Sequence, residues 1–200
     1  MAVKHAYPSG KADGGDATKV RPTNWNADHV GDQTLDRSMT TQQVVSRTDE
    51  VSIYSFSIPA NKMGSDGGVL LNLGGTILAN VAGTLTVRVK LGATTILTST
   101  AMDINDASVT YKFTLEILLM NLATNSQKCW ANFQAIASVD TLPLGRLDQT
   151  AGVFGNGYNV AAEDTSLART FDVTVQWSAS SASLDFKKEM ALLTLVAPTP

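Results

Sequence analysis

From about residue 49 onward, apolar and polar side chains alternate with a period of two. In the segment 84–91, Leu85, Val87, Val89 and Leu91 alternate with Thr84, Thr86, Arg88 and Lys90. Successive side chains of a strand point to opposite faces, so this spacing predicts a strand that is buried on one side and wet on the other. Val109, Tyr111, Phe113, Leu115, Ile117 and Leu119 repeat the pattern against Thr110, Lys112, Thr114 and Glu116, and Phe171, Val173, Val175 and Trp177 do so against Asp172, Thr174 and Gln176. Looser versions occupy 51–58, 69–78, 94–100, 127–139 and 189–196. Together they predict about eight strands, separated by clusters of Gly, Asn, Asp and Ser. The segment 113–122 is rich enough in Leu and Met to compete as a helix, but the alternation leading into it and its β-branched neighbours favour a strand.

Short strands at this spacing predict an all-β fold: an antiparallel β-sandwich, and with about eight strands a jelly roll, in which two four-stranded sheets are wound as Greek keys. The stretch 140–169 is then the main excursion, and a connection that long is functional or held down by a partner.

Residues 1–48 show neither period. Tyr7-Pro8-Ser9-Gly10 and Asp13-Gly14-Gly15-Asp16 are turn chemistry, Arg21-Pro22 favours extended backbone, and Thr23 or Asn24 is suited to cap a helical turn through Trp25 and Ala27. Residues 31–48 are polar and read as a linker. The division expected is therefore an extended, irregular N-terminal arm with its linker, 1–48, followed by a β-sandwich domain, 49–200.

Composition narrows the function. With 44% hydrophobic residues and a mean hydropathy of +0.02, the chain can bury a sizeable core. A net charge of −3 with only 16% charged residues offers no electrostatic footprint for nucleic acid or for an anionic membrane, and points instead to a protein partner. The single cysteine, Cys129, allows no intrachain disulfide and reads as a buried, inert thiol. The start lacks the pattern of a signal peptide, and the apolar run 115–122 is broken by Glu116 and Asn121 and too short to span a bilayer. A soluble protein made in a cytoplasm is expected.

The search for chemistry returns little. Both histidines, His5 and His29, lie in the arm, so the β-domain has no histidine base for a serine or cysteine nucleophile. Asp103 with Asp106, or Glu163 with Asp164, are the carboxylates that a glycosidase would pair, but acidic loop residues more often form solvated turns. No metal-ligand spacing joins His5, Asp13, Asp16, Asp28 and His29, and Gly64-Ser65-Asp66-Gly67-Gly68 is not followed by the Lys-Ser/Thr of a phosphate loop. Lys187-Lys188 is only a pair and Glu189 follows it. The expectation is a protein without catalytic residues, cofactor or metal. Trp25 carries two readings: it folds back onto the β-domain, or it anchors the arm in a pocket of another chain. An extended arm is also suited to adding a strand to a neighbour's sheet.

The run from His5 to Val30, with Lys11-Ala12-Asp13-Gly14 leading into Pro22-Thr23-Asn24-Trp25-Asn26-Ala27-Asp28-His29, resembles a segment that recurs among tailed-bacteriophage virion proteins. Ile58-Pro59-Ala60-Asn61-Lys62-Met63-Gly64, followed by strands such as 85–91, is similar to the β-sandwich domains of phage head-decoration and tail-fibre proteins. The resemblance implies a non-enzymatic virion component, first a capsid-decoration (cement) or head-fibre protein whose arm binds the major capsid protein. In that reading Pro22, Asn24, Trp25, Asn26 and His29 make the contact, and the sandwich projects outward as a homotrimer. At 200 residues the chain leaves no room for a fibre shaft, which favours decoration. The alternatives are a tail-tip or tail-fibre adhesin that holds a tail protein through its arm and binds a host glycan or protein through 140–169, and a stand-alone carbohydrate-binding sandwich. Decoration requires that a chain lacking residues 1–40 fold and yet fail to bind capsids.

Overall fold

The computed structural model describes residues 33–103, 110–137 and 152–198. These form twelve strands and, among the described residues, no helix: β1 (Gln33–Ser38), β2 (Gln42–Val45), β3 (Val51–Ile58), β4 (Gly68–Ala79), β5 (Thr84–Leu91), β6 (Thr94–Thr98), β7 (Met102–Asp103), β8 (Thr110–Ala123), β9 (Ser126–Ala137), β10 (Gly152–Ala161), β11 (Arg169–Trp177) and β12 (Leu184–Val196). A seven-stranded antiparallel sheet has the order β1-β12-β4-β8-β9-β10, with β2 also paired to β12. A five-stranded sheet has the order β3-β11-β5-β6, with β7 also paired to β5.

The strand order explains why twelve strands appear where about eight were expected. β1 and β2 share one edge of β12, at Ala191–Leu195 and Asp185–Lys188 respectively, and β6 and β7 share one edge of β5. Counting each split edge once, β1/β2-β12-β4-β8 faces β3-β11-β5-β6/β7, which is the two-Greek-key order of a jelly roll. The β9–β10 hairpin, inserted between β8 and β11, widens the first sheet beyond the second.

Alternation builds each layer. β5 is buried at Leu85, Val87, Val89 and Leu91 and only partly covered at the residues between, and β8 is buried at every second position from Tyr111 to Asn121. The segment 113–122 is thus strand throughout. The β5–β6 hairpin closes through Gly92 and Ala93, and Gly92 takes φ +58°, the left-handed region that a tight two-residue hairpin turn asks of a glycine. Between the sheets, the Phe113 ring lies 4.5 Å from that of Phe186 and 5.8 Å from that of Phe133, centroid to centroid. Trp177 is 1% exposed and donates its Nε1–H to the Val44 carbonyl at 3.3 Å, tying the smaller sheet to β2.

Two expectations are corrected. The polar stretch 31–48 is no linker over 33–45, because it supplies the edge strands β1 and β2. An edge strand needs few apolar side chains, since its backbone hydrogen bonds to β12 are indifferent to sequence. Here Leu35 and Val44 turn inward, Tyr54 donates its hydroxyl to Asp36 Oδ2 at 3.1 Å, and Lys188 Nζ donates to the Thr40 carbonyl at 2.7 Å. Likewise, the excursion 140–169 is not all connection, because β10 pairs along β9 from Gly152↔Ile136 to Ala161↔Gln127. Its glycines hid the alternation: on the inner face Gly157 stands where a side chain would meet Leu97.

Candidate functional site

Pro22, Asn24, Trp25, Asn26 and His29 lie outside the described residues, as do both histidines and Asp106. The carboxylate pair Glu163–Asp164 is engaged in architecture. Glu163 pairs with Arg169 Nε at 3.1 Å and accepts from Thr94 Oγ1 at 2.5 Å. Asp164 Oδ1 accepts from the Ser166 backbone N–H at 2.9 Å and from its hydroxyl at 2.5 Å, which holds its carboxyl below the ordinary range. Cys129 is fully buried on the inner face of β9, and burial pushes its thiol up to about 12. Among the described residues no group of three His, Cys, Asp or Glu side chains could hold a metal, and no helix is long and apolar enough to cross a membrane.

What stands out is the contrast between the two outer faces. The five-stranded sheet presents Ser52, Thr86, Arg88, Lys90, Asp172, Thr174 and Gln176. On that face Glu50 accepts from Thr174 Oγ1 at 2.6 Å, pairs with Lys90 and lies 3.4 Å from Arg88. The Lys90 ammonium and the Thr174 hydroxyl hold the Glu50 carboxyl below its usual value. Most of this face is hydrogen-bonded or charge-paired, although Arg88 Nη1 meets the Glu50 carboxylate without a hydrogen bond.

The seven-stranded sheet is different. Its register aligns Thr194, Leu70, Leu118, Trp130 and Tyr158 in one row across β12, β4, β8, β9 and β10. The next row carries Val196, Gly68, Met120, Lys128 and Val160 in the same strand order. On the other side runs Leu192, Asn72, Glu116, Asn132 and Asn156. On β12, β4, β8 and β9, and at Tyr158 and Val160 on β10, these positions alternate with the core residues and so face outward. Trp130 is 38% exposed, Tyr158 61%, and Val160 and Leu122 57% each. Apolar groups concentrated on one side of one sheet are the mark of a covered surface. Sequence reasoning passed over them, although the signal was present: Trp130 occupies the polar phase of β9, among Lys128, Asn132 and Gln134, while Cys129, Ala131 and Phe133 fill the apolar phase.

A second feature lies inside. Where β9 and β10 outrun the smaller sheet, a cleft of about 250 Å³ remains between the layers, lined by Val87, Val89, Leu97, Met102, Leu115 and Phe133 among others. It is mainly apolar, with Thr98, Ser99 and Thr100 also in its lining, and among the described residues no ionisable side chain lines it.

The fold and its surfaces define a jelly-roll sandwich with one polar and one apolar-rich outer face. No family model and no curated protein matches the chain. Among solved structures it is similar to a peanut lectin determined with a nine-residue peptide, at 8% identity and TM-score 0.38, over 86% of this chain and 93% of that one. It is also similar to the structure of the infectious bursal disease virus Gx strain, at 11% identity and TM-score 0.36, over 94% of this chain and 37% of that one. A third similarity is to the CBM2 module of the evolved Dit of Lactobacillus casei BL23 phage J-1, at 12% identity and TM-score 0.36, over 73% of this chain and 70% of that one.

Proposed function

We propose that this chain is a non-enzymatic structural protein of a phage virion, a capsid-decoration or head-fibre protein whose N-terminal arm binds the major capsid protein while the jelly roll stands outward. The observation that carries the reading is the junction at Gln33. The segment with the virion-protein resemblance runs directly into β1, which is an edge strand of the larger sheet. The chain therefore enters the domain at its rim, and the residues from Gln33 onward supply a hydrophobic core of their own. At a reach of about 3.5 Å per extended residue, Trp25 is within about 28 Å of that rim. An aromatic held at this range among Asn24, Asn26 and His29 suits a pocket on a partner, with the aromatic as anchor and the polar neighbours fixing its register.

The cut that tests this falls before Gln33, because removing residues 1–40 would take β1 with them. A chain lacking residues 1–32 is expected to keep its β-sheet circular dichroism and lose co-sedimentation with capsids, and Trp25→Ala in the full chain should weaken that binding at least tenfold. Undiminished decoration by the truncated chain would sink the proposal. Copies per virion, counted against the major capsid protein, separate decoration, with hundreds of copies expected, from a tail adhesin, with few.

A further inference from the structure

We infer that the outer face of the seven-stranded sheet is the contact with a second copy of this chain, packed face to face about a twofold axis that runs along the row Leu70–Leu118–Trp130–Tyr158. Aromatic pairs on a sheet also suit sugars, but here Leu70, Leu118, Met120, Val160 and Val196 share the face with Trp130 and Tyr158. Aliphatic surface offers a sugar's hydroxyls nothing, whereas it is the ordinary content of the dry centre of a protein interface.

The charges select the partner and the axis. Glu116 sits on β8 in the row above the apolar row, and Lys128 sits on β9 in the row below it. Neither forms an ion pair with another described residue. Two copies facing each other about an axis parallel to the strands would bring Glu116 beside its own equivalent and Lys128 beside its own, and like charges there repel. An axis along the apolar row exchanges the flanking rows instead. It sets Glu116 of each copy one strand away from Lys128 of the other, so that one symmetry operation makes two opposite-charge pairs. Leu118 and Trp130 then meet their own equivalents at the centre. Five strands about 4.8 Å apart and three rows about 6.8 Å apart make a face about 24 Å by 20 Å, whose pairing buries on the order of 1,000 Å², enough for a specific interface.

The test is light scattering of the full chain through a dilution series. A dimer is expected, and Glu116→Lys should raise its dissociation constant about tenfold by placing like charges together twice. Adding Lys128→Glu to that variant should restore dimerisation, a rescue that mere surface damage would not give. Leu118→Glu should yield monomers whose thermal unfolding stays cooperative, because Leu118 is not part of the core. A monomeric or trimeric wild-type chain would overturn the inference, as would failure of the charge swap to rescue. So would a monomer that cellulose or chitin retains through Trp130, which would assign the face to glycan.

Discussion

Glu50 and Lys188 show opposite ways for a charge to sit in this domain. Glu50 is 30% exposed and bonded by Lys90 and Thr174, so its folded pKa lies below its unfolded one. Its stabilisation is therefore present above the ordinary carboxylate range and is lost as pH falls through the folded value. Glu50→Gln should flatten the fall in stability between neutral and acidic pH, read by denaturant titration at several pH values, with an effect of no more than about 1 kcal/mol for so accessible a group. Lys188 is 2% exposed, and burial lowers its pKa, with the Asp36 charge working the other way. A lysine depressed in the fold costs stability at neutral pH, and this cost is relieved as pH rises through the folded value toward the unfolded one. What the buried ammonium does in return is hold the Ser38–Thr40 turn, donating to the Thr40 carbonyl. Lys188→Met removes this hydrogen bond together with the cost of burying the charge, so the net change in stability should be no more than about 1 kcal/mol, with faster amide exchange confined to β1 and β2.

At the scale of elements, legibility followed the number of buried faces. The alternation over 84–91 matches β5 residue for residue, and those over 51–58 and 171–177 fall on β3 and β11, because each faces the core on one side and water on the other. β1 and β2 were invisible: Gln33–Ser38 offers the core little beyond Leu35, and its place is set by pairing with β12 rather than by its own pattern. β10 was lost among its glycines. The ambiguity of 113–122 has a physical source as well. Its outer phase turns apolar at Leu118, Met120 and Leu122, and apolar residues in both phases erase the period. That ambiguity was the apolar-rich outer face, seen without its register. The edge strands also yield a contrast: truncation before Gln33 should leave thermal unfolding cooperative, whereas truncation after Val45 strips the partner of β12 and removes the Val44 carbonyl from Trp177. The longer truncation should lower the melting temperature by several degrees or abolish the transition, since it opens a long central strand and unseats the largest core side chain.

The whole molecule is a sandwich with unlike outsides. One sheet ends in a hydrogen-bonded polar lattice and the other in an apolar field, and only the second asks for a neighbour. On the two proposals the arm and this field have separate roles, one fastening the chain to a surface and the other joining copies. They predict different losses: a chain without residues 1–32 should still self-associate, and Leu118→Glu should still bind capsids, though with less avidity. Both are read by comparing oligomeric mass with capsid co-sedimentation for each variant.

The cleft left where the β9–β10 hairpin overhangs the smaller sheet bears on hydrostatic pressure. Space between packed layers disappears when the chain unfolds, and the lost volume, on the order of tens of millilitres per mole, lets compression drive unfolding. Filling the space with Ala131→Val, at a residue that lines it, should raise the pressure of half-unfolding as followed by tryptophan fluorescence. The hairpin that widens the sheet thereby makes the domain softer to squeezing from outside.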